Sequence, residues 1–189
     1  MMHLIIQFAG PDLDQFHWVV SDLQSDSLDL SWSTGDESNL ATIASQNPHP
    51  AILLIPQQCV YLTRVELPEK SNRQLLSAIE FQIEDQLAQN IESQHFALGD
   101  TSLNPVSVAV VDKFIMQRCL DLSRRYGLRL SQILPEIFLC PMGENVNMLK
   151  VGDDWLLRSG PYQGIKCNDS TLNAMLDLLR RETDFKKLD

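Results

Sequence analysis

Four carboxylates, Glu80, Glu84, Asp85 and Glu92, fall in one short stretch, and paired carboxylates are common raw material for proton transfer. Acid–base chemistry would need two of them to converge on one reacting atom, with one pKa raised. Glu84 and Asp85 are adjacent, and neighbours on a helix point about 100° apart. Glu80 and Glu84 share a face at a four-residue step, but nothing around them supplies a raised pKa or a substrate pocket. The four therefore read as a partner-facing acidic surface, with a plain solvated helix side as the alternative.

Other chemistry is scarce. His3, His17, His49 and His95 show no metal spacing, and His49 lies between two prolines in a loop. Cys59, Cys119, Cys140 and Cys167 form no Cys-x-x-Cys pair and read as small buried hydrophobes in a reducing compartment. The chain has no Gly-x-Ser-x-Gly, no Gly-x-x-x-x-Gly-Lys and no Gly-x-Gly-x-x-Gly. With eight glycines, it offers little backbone that can approach a phosphate closely. Asp153-Asp154 sits in an expected turn, and Trp18, Trp32 and Trp155 sit in strand-like contexts as core or lobe-interface residues. No catalytic, cofactor or metal residue is assigned.

The 189 residues carry 25 acidic and 15 basic side chains, a net charge of −10. That balance argues against nucleic acid and against a polybasic membrane-surface module. It favours solubility, or a docking face for a basic partner. The N-terminus has no basic leader, and the longest apolar runs, 51–55 and 108–111, are far shorter than the roughly 20 residues of a membrane span.

These residues must be held by an α/β framework. Leu4–Phe8 and His17–Val20 read as a hairpin about Gly10-Pro11, and Leu28, Leu30 and Trp32 alternate as a half-buried strand. Leu40–Ala44 reads as a short helix, Ala51–Ile55 as a strand buried on both faces, and Tyr61–Leu67 as a strand. Ser71 is a predicted N-cap for a helix carrying Leu75, Leu76, Ile79, Ile83 and Leu87. His95–Leu98 and Val106–Val111 follow as strands. Asp112 caps a helix with Ile115, Cys119 and Leu122 on one face, closed by Gly127 behind Arg124 and Arg125. Leu128–Leu134 is strand-like, and Pro135 is placed at the first position of a helical turn. A hairpin about Gly152-Asp153-Asp154 and a helix over Thr171–Arg181 complete the pattern. Hairpins precede helices in both halves, so two packed lobes of mixed sheet plus helices are expected, 1–99 and 100–189.

One run is more specific: Leu62-Thr63-Arg64-Val65-Glu66-Leu67-Pro68, Arg73-Gln74-Leu75-Leu76, Glu84-Asp85-Gln86-Leu87-Ala88 and His95-Phe96-Ala97-Leu98-Gly99. It continues through Val108–Val111, Met116-Gln117-Arg118, Gly127-Leu128, Leu134-Pro135-Glu136, Trp155–Gly160 and Gly164. This run resembles the cytoplasmic domain of the type II secretion system protein L. The resemblance implies an actin-like (RNase H-like) fold serving as a non-catalytic scaffold of the inner-membrane platform. It implies binding to the N-terminal domain of the secretion ATPase, the E component, at the cytoplasmic face of the bacterial inner membrane. It further implies a single transmembrane helix and a periplasmic domain beyond this stretch, contacts there with the M component, and a possible homodimer. Active actin-fold ATPases carry an aspartate and glycines in their first hairpin. Here Gln7 stands about where that aspartate would, and Pro11 removes a backbone donor. The competing readings are an actin-like ATPase with Asp12, Asp14 or Asp153 on magnesium, and the nucleotide-binding platform of type IV pilus assembly.

Overall fold

The alternation of Leu4, Ile6 and Phe8 with Ile5 and Gln7 sends side chains to both faces of the first strand, and every one of them is buried. Such a strand needs cover above and below, and the surrounding chain provides it. The computed structural model describes residues 2–22, 31–67, 75–143 and 146–185. Its elements are β1 (Met2–Phe8), β2 (Gln15–Asp22), β3 (Ser33–Asp36), α1 (Leu40–Gln46), β4 (Ala51–Ile55), β5 (Val60–Val65) and α2 (Leu75–Ile83). They continue with β6 (Gln94–Leu98), β7 (Val106–Asp112), α3 (Lys113–Tyr126), β8 (Leu130–Pro135), β9 (Asn147–Val151), β10 (Asp154–Gly160), β11 (Gln163–Asn168) and α4 (Leu172–Phe185).

The strands form a five-stranded sheet ordered β3-β2-β1-β4-β8 and two three-stranded sheets, β11-β10-β9 and β5-β7-β6. In the large sheet β1 pairs antiparallel with β2 but parallel with β4, and β4 pairs parallel with β8. The result is a mixed α/β architecture of packed sheets and helices. Leu4, Ile6, Phe8, Leu53 and Ile55 pack on one face against Leu40 and Ile43 of α1 and Ile115, Cys119 and Leu122 of α3. Ile5, Ile52 and Leu54 pack on the other face against Ile137, Leu139 and Leu156. Double cover is why Ala51–Ile55 is apolar at every position. A separate cluster seats Ile79 and Ile83 of α2 on Val65, Val108 and Val110. β6 and β7, on either side of position 99, are hydrogen-bonded neighbours in one sheet, and the division into lobes at 99/100 is a proposal.

Several elements differ from the sequence pattern. Leu28, Leu30 and Ser71 lie outside the described residues, while Trp32 precedes the strand rather than joining it. α2 ends at Ile83 and passes into a 3-10 turn, Glu84–Gln86. Pro135 is the residue before the 3-10 turn Glu136–Leu139, not its first position. β11 is an additional strand, in which only Ile165 and Cys167 alternate with polar neighbours. By contrast, α3 closes as its residues imply: Asp112 accepts from the Phe114 N–H at 2.7 Å, and Gly127 turns left-handed at φ 69°.

Candidate functional site

The four acidic candidates are set by the end of α2 and the turns after it. Glu80 is half-buried on the helix, Glu84 and Asp85 are exposed in the following turn, and Glu92 is exposed in a separate 3-10 turn, Ile91–Ser93. Asn90 helps end any continuation of the helix, because its side chain accepts from the Glu92 N–H at 2.9 Å. The carboxylates therefore lie along a helix end and two turns rather than on one helix face.

Beside this segment lies a groove of about 540 Å³. Tyr61, Leu87 and Phe114 wall it, with Val110 and Ile115 beneath. Phe114 is 73% exposed although it sits in the first turn of a well-formed helix.

A second constellation, absent from the list of sequence candidates, is built around Glu136. Pro135 ends β8 against β4 and delivers Glu136 to the seam between the large sheet and the β9–β11 sheet, where it is fully buried. Gln7 Nε2 donates to its Oε2 at 2.8 Å and the Gln57 N–H to its Oε1 at 2.7 Å. Lys166 Nζ of β11 lies 3.3 Å from Oε1 and 3.3 Å from Asp154 of β10. Burying a carboxylate is tolerable only with this kind of satisfaction. Both its oxygens are engaged and its charge is paired, so it ties the two sheets together. Gln7 contributes an amide donor to that tie. A cavity of about 760 Å³ opens beside it, lined by Gln57, Tyr61, Asp154, Lys166, Met175 and Leu179.

The first turn is also drawn inward: Leu13 takes the left-handed region at φ 53° and buries its side chain. Asp12, Asp14 and Asp153 are exposed and lie in two different turns. Burial pushes the Cys119 thiol up to about 12 and raises those of Cys59 and Cys140, which leaves them protonated at neutral pH. No group of three or more His, Cys, Asp or Glu among the described residues is placed to hold a metal ion.

Glu37 makes a third tie. It accepts from Arg118, from Arg125 at 2.9 Å and from the Tyr126 hydroxyl at 2.9 Å, joining the start of α1 to the far end of α3. Partial burial alone would raise its pKa, but the Tyr126 and Arg118 hydrogen bonds and the arginine charges outweigh it and hold the carboxyl below its ordinary 4.5. A depressed carboxyl contributes stability that is complete above the ordinary value and is lost as pH falls through the folded one. Urea titrations from pH 7 to 3 should therefore show wild type exceeding Glu37→Gln by about 1 kcal/mol at neutral pH, with the gap closing in acid. A gap that stays constant across that range would contradict the tie.

A family model described as type II secretion system (T2SS), protein L matches residues 4–187. Curated relatives include type II secretion system protein L of Vibrio cholerae serotype O1, 29% identical over 72% of this chain and 34% of that protein. The Dickeya chrysanthemi protein of the same name is 26% identical over 92% of this chain and 44% of its own length. The chain thus spans between a third and a half of these relatives. Among solved structures, the cytoplasmic domain of EpsL, an inner-membrane component of the type II secretion system of Vibrio cholerae, superposes with a TM-score of 0.78. That match has 24% identity and covers 93% of this chain and 74% of the other.

Proposed function

Since this chain belongs to the type II secretion system protein L family, we propose that it is a non-catalytic scaffold of the inner-membrane platform that recruits the cytoplasmic secretion ATPase through that enzyme's N-terminal domain. The observation that carries the non-catalytic part is the pairing around Glu136 beside Gln7. There the Glu136 carboxylate is paired with Lys166 and accepts from the Gln7 amide and the Gln57 N–H, so the Lys166 charge and these two donors are committed to a protein carboxylate. The recruiting part is supported by the net charge of −10 and by Glu80, Glu84, Asp85 and Glu92 as a partner-binding surface. Complementary charge would speed encounter and fix register more than it adds affinity.

In the whole protein this domain works at the cytoplasmic face of the bacterial inner membrane. No described helix is long and apolar enough to cross a membrane. Contact of the whole protein with the M component belongs to the same proposal. Pairing with a second copy is compatible with the same role.

The test is a titration of the chain with the cognate secretion ATPase at several salt concentrations. Saturable one-to-one binding that weakens about tenfold or more with rising salt is expected. Absence of binding at every salt, together with a thermal shift of this chain alone on adding Mg-ATP, would overturn the reading.

A further inference from the structure

An aromatic ring in water is unfavourable, and a large apolar side chain left out beside a concave surface marks a place where something else packs. Phe114 is such a ring. The start of α3 is fixed by the Asp112 cap, so the ring's position is set by backbone geometry and not by packing of its own. Across the groove stands Tyr61, 40% exposed, whose hydroxyl donates to Gln86 Oε1 at 2.7 Å and so ties the opposite wall to the turn Glu84–Gln86. Leu87, immediately after that turn, closes the third side.

One carboxylate lines the groove, and three more are carried on the same short segments as its lining residues. Glu84 and Asp85 lead into Leu87, Asp112 lines the groove itself, and Glu92 lies two residues before the lining residue Gln94. The nearby cation Lys113 donates its Nζ to the Glu92 backbone oxygen at 2.7 Å. An apolar slot with a negative border selects an apolar anchor flanked by positive charge.

We infer that the Tyr61–Leu87–Phe114 groove takes an apolar side chain carried on a lysine- or arginine-flanked segment of the partner protein. The inference rests on the scaffold reading above and names where its partner is gripped. Phe114 and Tyr61 act as aromatic anchors, while Glu84, Asp85 and Glu92 guide the basic flanks.

The experiment titrates the intact cognate ATPase against wild type, Phe114→Ala, Tyr61→Ala and the pair Glu84→Gln with Asp85→Asn. Phe114 is largely in solvent, so its removal leaves the fold intact, and unchanged thermal melting checks this. Expected results are a rise in Kd of about tenfold or more for each aromatic variant. The carboxylate pair should give a smaller rise and a flatter salt dependence. Wild-type affinity in both aromatic variants, with wild type itself binding, sinks the groove and leaves the scaffold reading standing. If wild type fails to bind, both fall. If the aromatic variants lose self-association in sedimentation but keep the ATPase, the groove belongs to a second copy of the chain and the inference is overturned.

Discussion

Glu136→Ala lowers the free energy of unfolding by about 3–5 kcal/mol, because it leaves two donors without their acceptor and takes from half-buried Lys166 one of its two carboxylate partners. Lys166 is only 15% exposed at its side chain and would retain Asp154, itself 42% exposed, as its partner. The Gln57 N–H and the Gln7 amide would lose the acceptor that each uses. Glu136→Gln keeps an oxygen for one donor and should cost less than the alanine change. Urea unfolding at pH 7 measures both, as a drop in midpoint at unchanged slope. The loss should be strongly non-additive with Lys166→Ala, since the two changes remove one interaction. A loss below about 1 kcal/mol for Glu136→Ala would mean that the carboxylate is not the tie its burial implies.

Phe16→Ala should be about as damaging, again about 3–5 kcal/mol, by a different mechanism. Phe16 is 1% exposed on β2, edge-on to Phe8 at 6.5 Å between ring centroids and tilted against Trp18 at 5.8 Å. Truncation deletes the ring's transfer free energy and leaves a void that the paired strands β1 and β2 cannot close, since their register is fixed. Phe16→Leu fills much of the space and should cost clearly less. Guanidinium unfolding monitored by tryptophan fluorescence would separate them, and equal effects from Ala and Leu would count against cavity formation.

What could be read in the sequence follows from where residues are buried on regular faces. Ala51–Ile55 announces itself because a doubly covered strand is apolar throughout, and Leu4–Phe8 does so at every position but Gln7. α3 is legible down to its caps, since Asp112 and Gly127 satisfy local backbone geometry. β11 is harder to read, because only Ile165 and Cys167 alternate with polar neighbours and the strand is half-buried at nearly every position, with no dry face. The apolar spacing predicts a longer α2, because Leu87 continues that of Ile79 and Ile83 while belonging to the wall of a groove. Glu136 is harder still. Residue type argues for the surface, and only the arrival of Gln7, Gln57 and Lys166 from three distant segments makes its burial tolerable. Phe114 reads as an ordinary helical apolar residue until the structure leaves it outside.

The order of strands in the large sheet also sets a timetable for synthesis. β1, β2 and β3 can pair as soon as they emerge, and β4 can join β1, but the free edge of β4 is completed only by β8. Leu53 lies opposite Ile133, so about 80 residues of chain must follow before that edge is covered. At about 5–20 residues per second, this is on the order of 4–16 s during which an all-apolar strand lacks its neighbour. The β5-β7-β6 sheet is encoded entirely within that interval and can form before β8 appears. The nascent chain therefore passes through a stage in which a later-coded sheet is complete while its own centre waits, with an open edge available to chaperones or to another nascent copy.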